Sequence, residues 1–250
     1  MWLSEPLNLS WTHDLSLSPE TPLLKGDEIH LFCFPRIPFE NPEMELHYLD
    51  ALSLEEKDRA AGIKSQENQM VFIQSRARLR WLLGHQLGLP AQDVPLVIGP
   101  HGKPQHRFHE IAFNLSHSKG LILIGVAKGG EVGVDVEHPR PVRQLDGLIR
   151  EVFSAGEQRW FVGLSEAEQN ALFLRGWTLK EAFVKATGRG IAAGLSRVVI
   201  QENFLGFEAV PEGDPKGYQV FESAFLRARI AVVHRGETRT LRYYRGVFES

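Results

Sequence analysis

The sequence predicts an α+β fold, and three observations carry that prediction. Helical segments are mixed with meandering strands along the chain. The order strand, helix, strands occurs once before residue 130 and once after it, a hint of two similar halves, 1–130 and 131–250. The 250 residues are 43% hydrophobic and 24% charged, an ordinary globular balance long enough for a sizeable core.

The elements follow in order. Residues 1–27 are polar and proline-containing and read as an irregular arm. "EIHLFCF" (28–34) is a strand. "LSLEEKDRAAGI" (52–63) opens with Ser53 and has Glu56 three residues on, a capping box at a helix start. The helix at 66–88 places Val71, Ile73, Leu79, Leu82, Leu83 and Leu87 mostly at helical spacing and stops at Gly88. "VPLVIG" (94–99) is a short strand and "PHGKP" (100–104) a turn. Strands follow at "IAFNLSHS" (111–118), "LILIGVAK" (121–128) and "EVGVDVE" (131–137). Gly129-Gly130 between the last two predicts a two-residue hairpin. Ser154 with Glu157, and Ser165 with Glu168, are further capping boxes. The second opens a helix that runs through "WTLKEAFVKATG" to Gly188. Strand-like stretches lie near 197–200, 218–222, 228–234 and 240–247.

Bulk properties exclude several classes. Net charge is −3, without the basic excess that a phosphate backbone attracts, so nucleic acid is not expected as a partner. The single cysteine, Cys33, makes no internal disulfide. The N-terminus lacks the pattern of a signal peptide, and the longest apolar runs are too short to span a bilayer. The expected setting is the cytoplasm, with no membrane.

Asp135 and Glu137 stand two apart on the strand "EVGVDVE", so both project from one face and Val134 and Val136 from the other. Solvated acids on an edge strand have the same spacing. However, Gly133 and His138-Pro139 place the acids at a strand end, and two like charges so close call for a cation. Paired carboxylates with substrate phosphates and waters are the usual way to hold Mg²⁺. Trp177, Glu181 and Lys185 fall at i, i+4 and i+8, one stripe of a helix. That stripe reads either as a surface pair beside a core tryptophan or as a third carboxylate with a phosphate-directed lysine. Arg76 and Arg80 share a helix face and are able to clamp a phosphate; a solvated basic face is the plainer alternative. Ser116 and His117 end a strand, and Lys103 sits on a turn, exposed by default.

Taken in series, "GKP", "FNLSHS", "GVDVE", "FSAGE" and "WTLKEAFVKATG" resemble the motif set of the 4′-phosphopantetheinyl transferases, in their larger, pseudo-dimeric type. The likeness runs from about residue 45 to 200. It implies two α+β halves packed as a pseudo-dimer, with coenzyme A in the cleft between them. It implies Mg²⁺, or Mn²⁺, held by Asp135, Glu137 and Glu181. By motif position Ser116 and His117 resemble 3′-phosphate contacts, and Lys103 and Arg76 (or Arg80) resemble phosphate or nucleotide contacts. Lys185 resembles the pyrophosphate ligand, with Lys180 as a lesser one. Glu181 is implied to activate the incoming serine, directly or through water.

The implied reaction moves 4′-phosphopantetheine from coenzyme A to a serine of an apo acyl, polyketide or peptidyl carrier protein. It leaves holo carrier protein and adenosine 3′,5′-bisphosphate. Carrier proteins are acidic helical bundles, so Arg140, Arg143 and Arg150, just after the metal strand, are the expected docking patch. A pseudo-dimer supplies both walls of the cleft, so a monomer is expected. The rivals are an inactive homologue that binds coenzyme A or carrier proteins, and a different Mg²⁺-dependent phosphotransferase.

Overall fold

The structure is a computed structural model and describes residues 7–11, 21–99, 102–190, 194–237 and 239–248. Its strands are β1 (Leu7–Trp11), β2 (Glu28–Pro35), β3 (Leu96–Ile98), β4 (Pro104–His106), β5 (Ile111–Ser118), β6 (Leu121–Lys128) and β7 (Glu131–Glu137). After these come β8 (Val199–Ile200), β9 (Phe207–Ala209), β10 (Tyr218–Phe225), β11 (Ala228–Arg235) and β12 (Thr240–Phe248). The helices are α1 (Pro42–Asp50), α2 (Leu54–Ala61), α3 (Gln66–Leu87), α4 (Leu145–Val152), α5 (Ala155–Gln158) and α6 (Glu166–Thr187). The mixed α+β class holds.

A five-stranded sheet has the order β1-β12-β2-β6-β5, and a three-stranded sheet the order β10-β11-β7. Two small ribbons, β3-β4 and β8-β9, complete the strands. The chain passes from the first sheet to the second at residues 129–130, and β12 returns to the first, parallel to β2. Val132, Val134 and Val136 on the inner face of β7 pack with Ile29, Leu31 and Leu123 of the five-stranded sheet. The sheets therefore share a core, and the opposite face of β7 is left for α6.

The local signals that fix the helices are those in the sequence. Ser53, Ser154 and Ser165 each close a capping box with the glutamate three residues on. Ser65 caps α3, and α3 and α6 both end in glycines of left-handed conformation, Gly88 and Gly188.

Two expectations need correction, and one helix has no counterpart among the expected elements. β6 and β7 do not form a hairpin. β6 is already paired on both edges, with β2 and β5, so β7 has no edge to join and pairs with β11 instead. Gly129 and Gly130, both at positive φ, turn a corner between sheets. The arm expected to be irregular contributes β1, parallel to β12. Helix α1 was not anticipated, although Asn41 caps it through the Met44 N–H and Pro42 occupies its first turn.

Candidate active site

The site begins with a close approach. Gly133 lies on the same face of β7 as Asp135 and Glu137. A Cβ there would stand 2.0 Å from the Ala182 carbonyl and 2.3 Å from the Ala186 nitrogen of α6. Only glycine lets the helix backbone settle this near the strand. Ala182 and Ala186 are the contact positions, and Glu181 and Lys185, one residue before each, flank the same line. The helix stripe and the strand acids thus meet because of three small residues.

Lys185 Nζ donates to Asp135 Oδ1 at 2.6 Å and to Ser116 Oγ at 3.0 Å. Ser116 Oγ in turn donates to the same carboxylate oxygen at 2.8 Å. Asp135 Oδ2 and Glu181 Oε1 are both buried without a hydrogen-bond partner. Loss of hydration pushes the Glu181 carboxyl above its usual range, and Asp135 and Glu137 add to this while Lys185 opposes it. Glu137 is raised in the same way by burial, against the pull of Arg140, whose Nη2 lies 3.4 Å from Glu137 Oε1.

Three carboxylates on hard oxygen donors, two of them with a buried, unpartnered oxygen, fit a small divalent cation. Among the described residues no three His, Cys, Asp or Glu side chains form a ready-made ligand set. Asp135 Oδ1 is engaged by Lys185 instead.

Beside this cluster is an open cavity of about 500 Å³ between α3 and β5, lined by Val71, Phe72, Arg76, Leu115 and His117. Arg76 lies over the Phe72 ring at 5.5 Å, its Nε 3.8 Å from Glu56 and its Nη1 unpartnered. Loss of hydration, with Lys185 and Arg36 close by, holds the His117 imidazole below its ordinary value. The cavity thus offers apolar walls with a cation and an imidazole.

Several expected site residues are placed differently. Ser116 and His117 are neighbours on a strand and face opposite ways. Ser116 joins the Asp135–Lys185 cluster while His117 faces the cavity. Arg80 is buried, bonded to the Glu56 carboxylate and donating to the carbonyls of Ala91, Gln92 and Val94. That commits it to the fold and leaves Arg76 as the arginine of the cavity. Lys180 is fully buried, 2.7 Å from Glu157 Oε2 and 2.9 Å from the Val152 carbonyl. It faces away from Lys185 because 180 and 185 lie on opposite sides of a helix.

Lys103, expected to be exposed, is half-buried with its ammonium on three backbone carbonyls. Burial lowers its pKa to about 8. Arg143, just before α4, and Arg150, in its last turn, are exposed.

Two useful residues escaped the sequence reading. Asn114 Oδ1 accepts the Val134 N–H at 3.0 Å, fastening β7 to β5. Its spacing of two from Ser116 on one strand was the available signal. Glu157 caps α5, pairs with Lys180 and accepts the Ile200 N–H at 2.9 Å, and only its capping role was legible.

A cluster of acids and a lysine joined by strand and helix, with an open cavity of about 500 Å³ nearby, is suited to phosphoryl or group transfer. Comparison with known proteins makes the class specific. Residues 131–233, which include β7 and α6, match the model of the 4′-phosphopantetheinyl transferase superfamily. The chain is 37% identical to the 4′-phosphopantetheinyl transferase HetI of Nostoc sp. (strain PCC 7120), over 76% of this chain and 76% of HetI. It is 31% identical to the 4′-phosphopantetheinyl transferase ffp of Bacillus subtilis, over 59% of this chain and 71% of ffp. It is 38% identical to the 4′-phosphopantetheinyl transferase AcpT of Escherichia coli (strain K12), over 46% and 60%. The chain belongs to the 4′-phosphopantetheinyl transferase family and is an enzyme of that class.

Proposed function

We propose that this enzyme takes 4′-phosphopantetheine from coenzyme A and attaches it to a serine hydroxyl of an apo acyl, polyketide or peptidyl carrier protein. The observation that carries the reading is the convergence of Asp135, Glu181 and Lys185 beside the cavity of Arg76 and His117. The nucleotide end of coenzyme A fits that cavity, its phosphates met by the unpartnered Arg76 Nη1 and by His117. Lys185 then reaches the pyrophosphate. The serine oxygen forms a bond to the β-phosphorus as the bond to the bridging oxygen breaks, and adenosine 3′,5′-bisphosphate departs.

The serine proton passes to Glu181, directly or through water. A carboxyl raised by burial is a better base at neutral pH than an ordinary one. Asp135, Glu137 and Glu181 would hold Mg²⁺, or Mn²⁺, which when bound supplies charge neutralisation at the pyrophosphate. Such transfers depend mainly on positioning and charge.

On this reading residues 1–130 and 131–250 are the two halves of a pseudo-dimer, with β12 returned to the first. We expect a monomer acting in the cytoplasm. Among the described residues no helix is long and apolar enough to cross a membrane. The exposed Arg143 and Arg150, with Arg140 beside Glu137, would receive the acidic carrier protein.

Intact-mass spectrometry of a panel of apo carrier proteins, incubated with enzyme, coenzyme A and Mg²⁺, tests the proposal. A gain of one phosphopantetheinyl mass, abolished by chelator, supports it. Coenzyme A binding with no gain on any carrier would leave an inactive binding homologue. Reaction of ATP instead would point to a different phosphotransferase.

A further inference from the structure

We infer that Lys103 is a positioning residue that sets the C-terminal end of α6, and with it Lys185, from outside the ligand site. The last carbonyls of any helix lack intrahelical partners. In α6 those of Lys185 and Ala186 are taken by Lys103 Nζ, at 2.5 and 2.9 Å. The same ammonium reaches the Val132 carbonyl of β7 at 3.4 Å. Its three protons therefore bridge the backbone of Lys185 to the strand that carries Asp135. Lys103 lies 82 residues from Lys185 in sequence, in the β3–β4 connection, where the Gly99 N–H donates to the Lys103 carbonyl at 2.8 Å.

A cation at a helix C-terminus also opposes the negative end of the helix dipole. The stem of Lys103 passes Gly188, where an added Cβ would come within 3.3 Å of Lys103 Cδ. The left-handed glycine that ends α6 thus also clears the path of the lysine. With every proton on a carbonyl, the ammonium has none to offer a phosphate. Its effect on the reaction passes through Lys185, whose Nζ must stay within reach of Asp135 and the substrate. Misplacement of a catalytic group by about 1 Å costs on the order of a hundredfold in rate. Lys103 thereby acts on turnover and not on coenzyme A affinity.

The inference rests on Lys185 serving the transfer, so Lys185→Met is the control. In Lys103→Met, kcat should fall at least ~10-fold while KM for coenzyme A stays within about twofold of wild type. Lys103→Cys offers a direct rescue, since alkylation with 2-bromoethylamine rebuilds an ammonium at nearly the original reach. Cys33 does not interfere, because it is fully buried and its thiol is pushed up to about 12. Aminoethylation should restore most of kcat.

A raised coenzyme A KM with unchanged kcat would make Lys103 a ligand contact and overturn the inference, as would wild-type kinetics throughout. If Lys103→Met does not fold, the aminoethylated and unmodified Lys103→Cys proteins, which differ only in the aminoethyl arm at position 103, carry the same comparison. If Lys185→Met is fully active, the role given to Lys185 fails. If Lys185→Met is inactive and Lys103→Met is normal, only the present inference fails.

Discussion

Lys185 Nζ lies 2.6 Å from Asp135 Oδ1, so the lysine of the helix motif holds the acid of the strand motif across 50 residues of chain. The contact puts a cation on one oxygen of a carboxylate whose other oxygen, Oδ2, has no hydrogen-bond partner. On the proposed reading, Lys185 and a bound metal would compete for the Asp135 carboxylate until a pyrophosphate draws the lysine away. In Lys185→Met, turnover should drop at least ~10²-fold, the scale for loss of a positioned electrostatic group. Yet Mn²⁺ binding without coenzyme A, followed by electron paramagnetic resonance, should tighten by about three- to tenfold. Unchanged or weaker Mn²⁺ binding would show that the pair does not gate the metal.

Glu181 is costly to keep ionised. Its carboxyl is raised by burial and has an unpartnered oxygen. Because the folded state binds this proton more tightly than the unfolded chain, stability falls as pH rises through the interval above 4.5. Glu181→Gln should melt higher than wild type at pH 7 in the presence of chelator, while its transferase activity falls at least ~10²-fold. A lower melting temperature in the variant would contradict this account of the site.

Arg76 and Arg80 of α3 should separate cleanly. Arg80→Ala removes the guanidinium bonded to Glu56 and leaves three carbonyls without their donor, so about 3–5 kcal/mol of stability should be lost. Lys180→Met, which strands buried Glu157, belongs to the same class. Arg76→Ala should instead leave urea unfolding nearly unchanged and raise KM for coenzyme A about tenfold or more. An Arg76 variant with normal KM would take the cavity out of coenzyme A binding.

Charge reversal at Arg143 and Arg150 should raise the carrier-protein KM several-fold. The effect should shrink at high salt, and coenzyme A binding should be untouched. Both side chains are exposed, so stability is the control that must not move. Carrier kinetics identical to wild type would move the docking surface elsewhere.

His234 predicts the acid limb of stability. It is fully buried, and burial lowers its pKa to about 4 from the usual 6.5. Between those values the unfolded chain binds the proton and the folded chain does not. Stability is therefore retained above 6.5 and lost as pH falls toward 4. His234→Leu should flatten that part of the curve, measured as denaturant midpoint from pH 7 to 4.5. An unchanged slope would assign the acid limb to other groups.

Some of this protein can be read from the chain alone. The capping boxes at Ser53, Ser154 and Ser165, the stops at Gly88 and Gly188, and the facing of Asp135 and Glu137 against Val134 and Val136 are local or periodic properties. They depend only on a residue's own backbone and near neighbours. The five motifs in order were enough to indicate the family.

What tertiary structure decided is the partner of each polar group. Arg76 and Arg80, or Lys180 and Lys185, look equivalent in sequence because charge and spacing do not say which side of a helix meets another element. Packing turned Arg80 and Lys180 inward to saturate buried carboxylates and carbonyls, and left Arg76 and Lys185 at the cavity and the acid cluster. The same holds for Gly129-Gly130, where a local turn signal was overruled once both edges of β6 were occupied. A long-range contact is chosen by the geometry of the assembled chain, which short-range pattern does not encode.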